Sequence, residues 1–186
     1  MHINFSQVLL VGGNSRKSGK TAFICHVIEK FAGNKPLAAF KIALYTALRD
    51  LQDHYPLKNH QDFYEVRENE ASGDRDSALY IKAGADTGWF IAAMDTKKSA
   101  ERIFERMNLL IAKGYLLIIE SNRLRDYLKP GLFVMVNQKE RADKARTKHF
   151  QQMSDLIIKS DSEAFKEPQQ YISIEGDSWM LKNPKT

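Results

Sequence analysis

Along this chain, short unbroken apolar runs alternate with segments whose apolar residues recur every three or four positions. The first run, Val8-Leu9-Leu10-Val11, has the length and β-branched content of a buried strand, and Gly12 and Gly13 stop it. Gly19-Lys20-Thr21 then opens a helix whose Ile24, Val27, Ile28 and Phe31 share one face. Gly33-Asn34-Lys35-Pro36 ends that helix, and Leu37 to Phe40 predicts a second strand. Residues 42–62 fit two readings. Ile42-Ala43-Leu44-Tyr45 with Leu48 and Leu51 suits a helix, whereas Pro56 and Asn59 to Asp62 suit a loop. Phe63 to Arg67 fits a short strand, residues 68–77 an exposed polar loop, Ala78 to Gly84 a short helix and Trp89 to Ala92 a buried strand. Residues 97–113 hold the strongest helical pattern, with Ile103, Phe104, Met107, Leu110 and Ile111 on one face and Gly114 as the stop. Tyr115 to Ile119 is the most hydrophobic strand and is closed by Glu120. Leu132 to Val136 and Leu156 to Ile158 predict further strands, and residues 171–181 a hairpin around Gly176-Asp177. Such alternation predicts an α/β fold of three layers, a mostly parallel sheet covered by helices on both faces. With no repeat, low-complexity tract or linker, residues 1–186 read as a single domain.

The opening strand, glycine loop and helix are the order of elements that binding a nucleoside triphosphate requires, so the expected fold is P-loop NTPase-like. In such a loop, backbone N–H groups at the helix N-terminus cradle the phosphates. A lysine reaches the β- and γ-phosphates, and a Ser/Thr hydroxyl ligates Mg²⁺. Here the candidate phosphate-binding residues are Gly13, Asn14, Ser15, Arg16, Lys17, Ser18, Gly19, Lys20, Thr21 and Ala22. Position 14, where the pattern G-x-x-x-x-G-K-[ST] has glycine, is Asn14. Either Asn14 takes the glycine's part, since Asn tolerates a left-handed backbone, or the loop begins at Gly13 and is one residue longer.

Composition narrows the class. With 28 basic and 23 acidic residues the net charge is +5, scattered rather than gathered into an aromatic-interleaved stripe, so nucleic-acid binding is not expected. The single cysteine, Cys25, makes no internal disulfide and fits a reducing compartment, as a small packed side chain. No basic leader or membrane-length apolar run is visible, so the expectation is a cytoplasmic protein without membrane attachment.

A triphosphate site needs an acidic residue at the end of a neighbouring buried strand to hold Mg²⁺. Glu120 fits, emerging at the carboxyl edge of the sheet. Asp76, in the segment Ser72-Gly73-Asp74-Arg75-Asp76-Ser77, is the second acidic candidate, in a loop that orders on nucleotide binding. Lys20, Asp76 and Glu120 are thus the candidate catalytic groups, and Thr21, Glu120 and Asp76 the candidate metal ligands. His54 and His60 lie in a loop-like region without ligand spacing, and are expected to be bystanders.

The loop NSRKSGKT, Lys41, Gly73-Asp74-Arg75-Asp76-Ser77 leading to Lys82-Ala83-Gly84-Ala85, and the strand LLIIE ending at Glu120 occur in that order. Together they resemble the molybdopterin-guanine dinucleotide biosynthesis adaptor (MobB) family over roughly residues 7–136. The resemblance implies a GTP-binding, weakly hydrolysing homodimer that assists a molybdenum-cofactor nucleotidyltransferase. It also implies phosphate and Mg²⁺ roles for Gly19, Lys20 and Thr21, and metal-facing roles for Asp76 and Glu120, with Arg16 matching the family's extra loop lysine. Asn14, Ile42 and Ser121 depart from the family pattern. Asn137-Gln138-Lys139-Glu140 is a candidate for guanine recognition, with a plain turn as the other reading. In a homodimer, Arg16 or Lys17 would reach the partner's phosphates. Two other functions fit the same residues. One is an ATP-dependent small-molecule kinase with Arg123 and Arg125 as its lid, and the other a degenerate P-loop fold serving protein interaction alone.

Overall fold

The computed structural model describes residues 3–15, 17–57, 61–68, 70, 75–138 and 145–182. Among the described residues, nine strands and six α-helices follow one another as β1 (Ile3–Gly13), α1 (Lys20–Phe31), β2 (Leu37–Tyr45), α2 (Leu48–His54), β3 (Phe63–Glu68), α3 (Asp76–Lys82), β4 (Thr87–Met94) and α4 (Lys97–Ile111). Then come β5 (Leu116–Glu120), β6 (Leu128–Asn137), α5 (Ala145–Gln152), β7 (Leu156–Lys159), α6 (Glu163–Lys166), β8 (Ile172–Glu175) and β9 (Ser178–Leu181). Seven strands form one sheet in the order β3-β4-β2-β5-β1-β6-β7. All neighbours in it are parallel except β3, which runs antiparallel to β4 at the edge. The expectation of an α/β fold with a mostly parallel sheet holds.

Alternation along the strands sorts the core into two halves. Val8 and Leu10 of β1 join Ile103, Phe104 and Met107 of α4 and Phe150 of α5 on one face. Leu9 and Val11 join Phe23, Ile24, Val27 and Ile28 of α1, Tyr80 of α3 and Phe165 of α6 on the other. Consecutive strand residues point to opposite sides, so a strand covered on both faces reads as a continuous apolar run, as Leu116 to Ile119 of β5 do before Glu120 ends it. Helices therefore cover both faces.

The ambiguous stretch resolves into two elements. Residues 42–45 continue β2, and a break at Thr46-Ala47 separates them from α2. The helical reading of Ile42 to Tyr45 gives way because Ile42 and Leu44 pack one face of a sheet strand, paired with Ile91 and Ala93 of β4. β1 also begins earlier than Val8. Its first residues pair with β6 from Ile3, with a register irregularity between Phe5 and Leu9. The mixed polarity of Asn4, Ser6 and Gln7 hid this half of the strand. α4 starts where Thr96 accepts a hydrogen bond from the Ser99 N–H at 3.2 Å, a cap worth about 1 kcal/mol. Gly114 follows it at φ 83°, a left-handed backbone that glycine takes without Cβ strain.

The expected hairpin is β8–β9, turning at Gly176. Its Trp179 is fully buried and meets Phe31 of α1 edge to face, ring centroids 5.2 Å apart. The hairpin thus completes the α1 face of the core. Among the described residues, no helix is long and apolar enough to cross a membrane.

Candidate functional site

β1 ends in the middle of the sheet, flanked by the carboxyl ends of β5 and β6, and there the chain turns into α1. Close packing dictates the glycines of this turn. A Cβ on Gly13 would overlap Ser18 Oγ and lie 2.9 Å from the Val136 carbonyl oxygen, and one on Gly12 would lie 2.6 Å from Asn122 Oδ1. The close approach that requires glycine therefore falls at Gly13, in keeping with a loop that begins there. Asn122, two residues beyond Glu120, clasps the same turn. Its Oδ1 accepts from the Gly13 N–H at 2.7 Å and its Nδ2 donates to the Gly13 carbonyl at 2.8 Å. Asn14 makes a second clasp: its Nδ2 donates to the Gln138 carbonyl and its Oδ1 accepts from the Gln138 N–H, both at 3.1 Å. An asparagine at this place fastens the loop to the end of β6, a task glycine cannot perform.

Gly19 precedes α1 at φ 91°, and no side chain caps the helix. The first turn of α1 carries no acidic residue either. Unsatisfied N–H groups and the positive end of the helix dipole together make that terminus an attractive place for an anion. Lys20 Nζ donates to the Ser15 carbonyl at 2.8 Å and to Ser18 Oγ at 3.3 Å, so the ammonium is folded over the loop. Burial lowers its pKa from the ordinary lysine value, with Lys41 adding to the shift and Glu120 and Asp76 opposing it. Ser15 Oγ is buried with no hydrogen-bond partner among the described residues, an uncommon condition that a ligand oxygen would relieve.

Glu120 lies at the end of β5, opposite Val11 of β1 on one side and Lys41 of β2 on the other. Only 2% of it is exposed, yet three groups converge on it. Thr21 Oγ1 donates to its Oε2 at 2.9 Å, and the Tyr80 hydroxyl donates to the same oxygen at 2.7 Å. Lys41 Nζ pairs with its Oε1 and reaches Asp76 at 3.1 Å, bridging both carboxylates. Tyr80, fully buried, has its pKa pushed well above the ordinary phenol value by burial first and by Glu120 next, so it stays a proton donor. Asp76 stands at the start of α3 rather than within a loop, because the helix begins two residues before the predicted Ala78.

Lys17, Gly19, Lys20, Thr21, Ala22, Asp76 and Glu120 line one cavity of about 560 Å³, together with Cys25, His26 and Leu79. That size suits a small-molecule ligand. Ser18 is buried beneath the loop rather than lining the cavity. Arg16, Gly73, Asp74, Lys139, Glu140 and His60 lie outside the described residues. Asn137, at the end of β6, keeps its Oδ1 buried and without a partner among the described residues. Cys25 is half-buried, with its thiol pushed up to about 11 by burial first and by nearby carboxylates next, so it is inert at neutral pH. His54 Nδ1 contacts the Asp50 carbonyl at 2.6 Å within α2. Among the described residues, no group of three or more His, Cys, Asp or Glu side chains gathers as a metal site. Two carboxylates and a hydroxyl remain, a hard oxygen set of the kind Mg²⁺ accepts when phosphate and water complete its shell.

Arg123 and Arg125 are not among the residues that line this cavity. They sit in a single 3₁₀ turn after β5, where Arg123 pairs with Asp95 and Arg125 donates to the Leu128 carbonyl at 3.0 Å.

Lys20, Thr21, Asp76 and Glu120 were legible from the sequence. Tyr80 and Asn122 were not: Tyr80 looks like one more apolar residue of a short helix, and Asn122 like loop. Asn122's position two residues past a strand-ending glutamate was the only available signal. Compared with known proteins, the chain matches no protein-family model and no curated protein.

Proposed function

We propose that this chain is a P-loop nucleotide-binding protein that takes GTP in preference to ATP with Mg²⁺, hydrolyses it slowly, and works as an adaptor resembling the molybdenum-cofactor guanine dinucleotide family. One observation carries the reading: Lys20 and Thr21 at the uncapped start of α1 line one cavity with Glu120, about a hundred residues further along the chain. In this reading the backbone N–H groups before α1 and the Lys20 ammonium hold the phosphates. The Lys20 side chain leaves the Ser15 carbonyl for the β- and γ-phosphate oxygens, and Ser15 Oγ gains an acceptor. Thr21 and Glu120, with Asp76 nearby, are the residues that would hold Mg²⁺, which supplies charge neutralisation across the phosphates. Tyr80 keeps Glu120 oriented, and Lys41 stands where a bound cation would compete for the same two carboxylates. In this reading a base edge would meet the Oδ1 of Asn137, which has no partner among the described residues. Among the described residues that line the cavity there is no glutamine and one histidine, His26 of α1.

The test is a titration of fluorescent GTP and ATP analogues with Mg²⁺ against the wild type and Lys20→Ala. Binding of GTP that the variant loses by at least about tenfold supports the reading, since a charge-assisted contact contributes about 1.5–3 kcal/mol. Absence of binding to either nucleotide overturns it. Retained wild-type affinity in Lys20→Ala overturns the assignment of the loop.

A further inference from the structure

A second cavity, of about 460 Å³, opens on the same side of the sheet as the first. Register shows the relation. Phe90 of β4 is paired with Lys41 of β2, and Lys41 with Glu120 of β5, so the three side chains stand in one row on one face. The buried carboxylate lies at one end of the row and Phe90 at the other. Asp76 lines both cavities and separates them.

The walls of the second cavity are aromatic. Tyr55, just after α2, stacks on Tyr64 of β3 with centroids 5.2 Å apart and planes 24° apart, and lies 5.3 Å from Phe90. All three rings are half-buried. On β4 this is out of pattern, because the residues on either side of Phe90 are buried. A strand interior that exposes an aromatic ring between buried neighbours leaves apolar area for something else to cover. At the rim, Arg75 is 65% exposed and meets Glu68 at 3.5 Å, a weak surface pair that leaves the guanidinium able to take a second anion.

We propose that this cavity is a second ligand site, taking a flat aromatic or heteroaromatic molecule that carries an anionic group, beside the nucleotide pocket. The ring packs against Tyr55, Tyr64 and Phe90, and the anion meets Arg75. Asp76 as common wall brings such a ligand next to the phosphate end of a bound nucleotide. That adjacency rests on the function proposed above, whereas the site itself does not.

Naphthalene-2-sulfonate is the probe, with naphthalene-2-sulfonamide as its uncharged counterpart, each titrated by calorimetry. The expected result is one-to-one binding of the sulfonate, weakened about threefold or more by Arg75→Gln, while the sulfonamide is unaffected by that change. Tyr55→Leu weakens both probes about fivefold. Arg75 is on the surface, so its variant keeps the wild-type melting temperature and remains readable even where Tyr55→Leu is destabilised. Lys20→Ala binds the sulfonate as the wild type does, so a failed nucleotide titration leaves this result standing. Equal weakening of both probes by Arg75→Gln, or unchanged sulfonate binding in both variants, overturns the proposal.

Discussion

The two faces of the sheet each carry a cluster of charges, and the clusters are built in opposite ways. On the α4 side, Arg146 bridges Asp126 at 3.0 Å and Asp95 at 3.8 Å, Arg123 pairs with Asp95, and Tyr127 donates to Asp95 at 2.9 Å. Two guanidiniums answer two carboxylates, at the rim of the apolar core. On the α1 side, a carboxylate sunk between strands shares one ammonium with Asp76 and draws two hydroxyl protons, beside an open cavity. Charges matched one to one, with Arg146 and Asp126 reaching water, close a surface. Sequestered polar groups packed round a space are the arrangement of a site, because they have given up water without filling the volume they face.

Gly13→Ala should act most strongly. The added Cβ must displace Ser18 and crowd the Val136 carbonyl, costing about 1–3 kcal/mol of stability and abolishing nucleotide binding. A thermal melt and a GTP titration read the two effects separately. Removing a carboxylate from each cluster then tests the contrast directly. Glu120→Gln should cost about 1–3 kcal/mol by denaturant unfolding, because buried donors lose their charged acceptor. Asp126→Asn, at the accessible cluster, should cost about 1 kcal/mol or less and lose even that at high salt. Equal costs would collapse the distinction between the faces.

Tyr80→Phe removes a single donor from Glu120 and should cost about 1 kcal/mol in the same unfolding experiment. The smallest effect concerns protons. Burial holds the folded Lys20 pKa below 10.5, so between that lowered value and 10.5 the unfolded chain binds more protons and stability rises with pH. A phosphate beside Lys20 favours the ammonium, so binding of the proposed nucleotide in that window should take up protons, and above 10.5 and below the lowered value progressively fewer. Calorimetric titrations in buffers of different ionisation enthalpy distinguish these outcomes.

How much of this was readable beforehand depended on the range of the interactions involved. β5 and α4 were plain because one opens on four successive apolar residues, Leu116 to Ile119, and the other is strictly periodic, and Glu120 followed from ending such a run. The continuation of β2 to Tyr45 was not plain, since Ile42 to Tyr45 has too few residues to separate a period of 2.0 from one of 3.6. The start of α3 at Asp76 was missed because the polar run before it reads as loop throughout. Within the site, the loop residues and the strand-ending carboxylate announce themselves locally. The Tyr80 and Asn122 contacts join positions 40 and 109 residues apart, and no local pattern encodes them. The aromatic cavity was invisible for the same reason: Tyr55, Tyr64 and Phe90 meet only once β3 folds back along β4.

The placement of β1 also governs the order in which a newly made chain can mature. Its residues are made well before those of its neighbours, which come from residues 116–120 and 128–137, and Trp179 seals the helix that follows it. Until those late segments arrive, Val8 to Val11 form an apolar strand with both edges unpaired, the kind of segment that invites mispairing during synthesis. The loop that follows β1 therefore takes shape only after those later segments are in place.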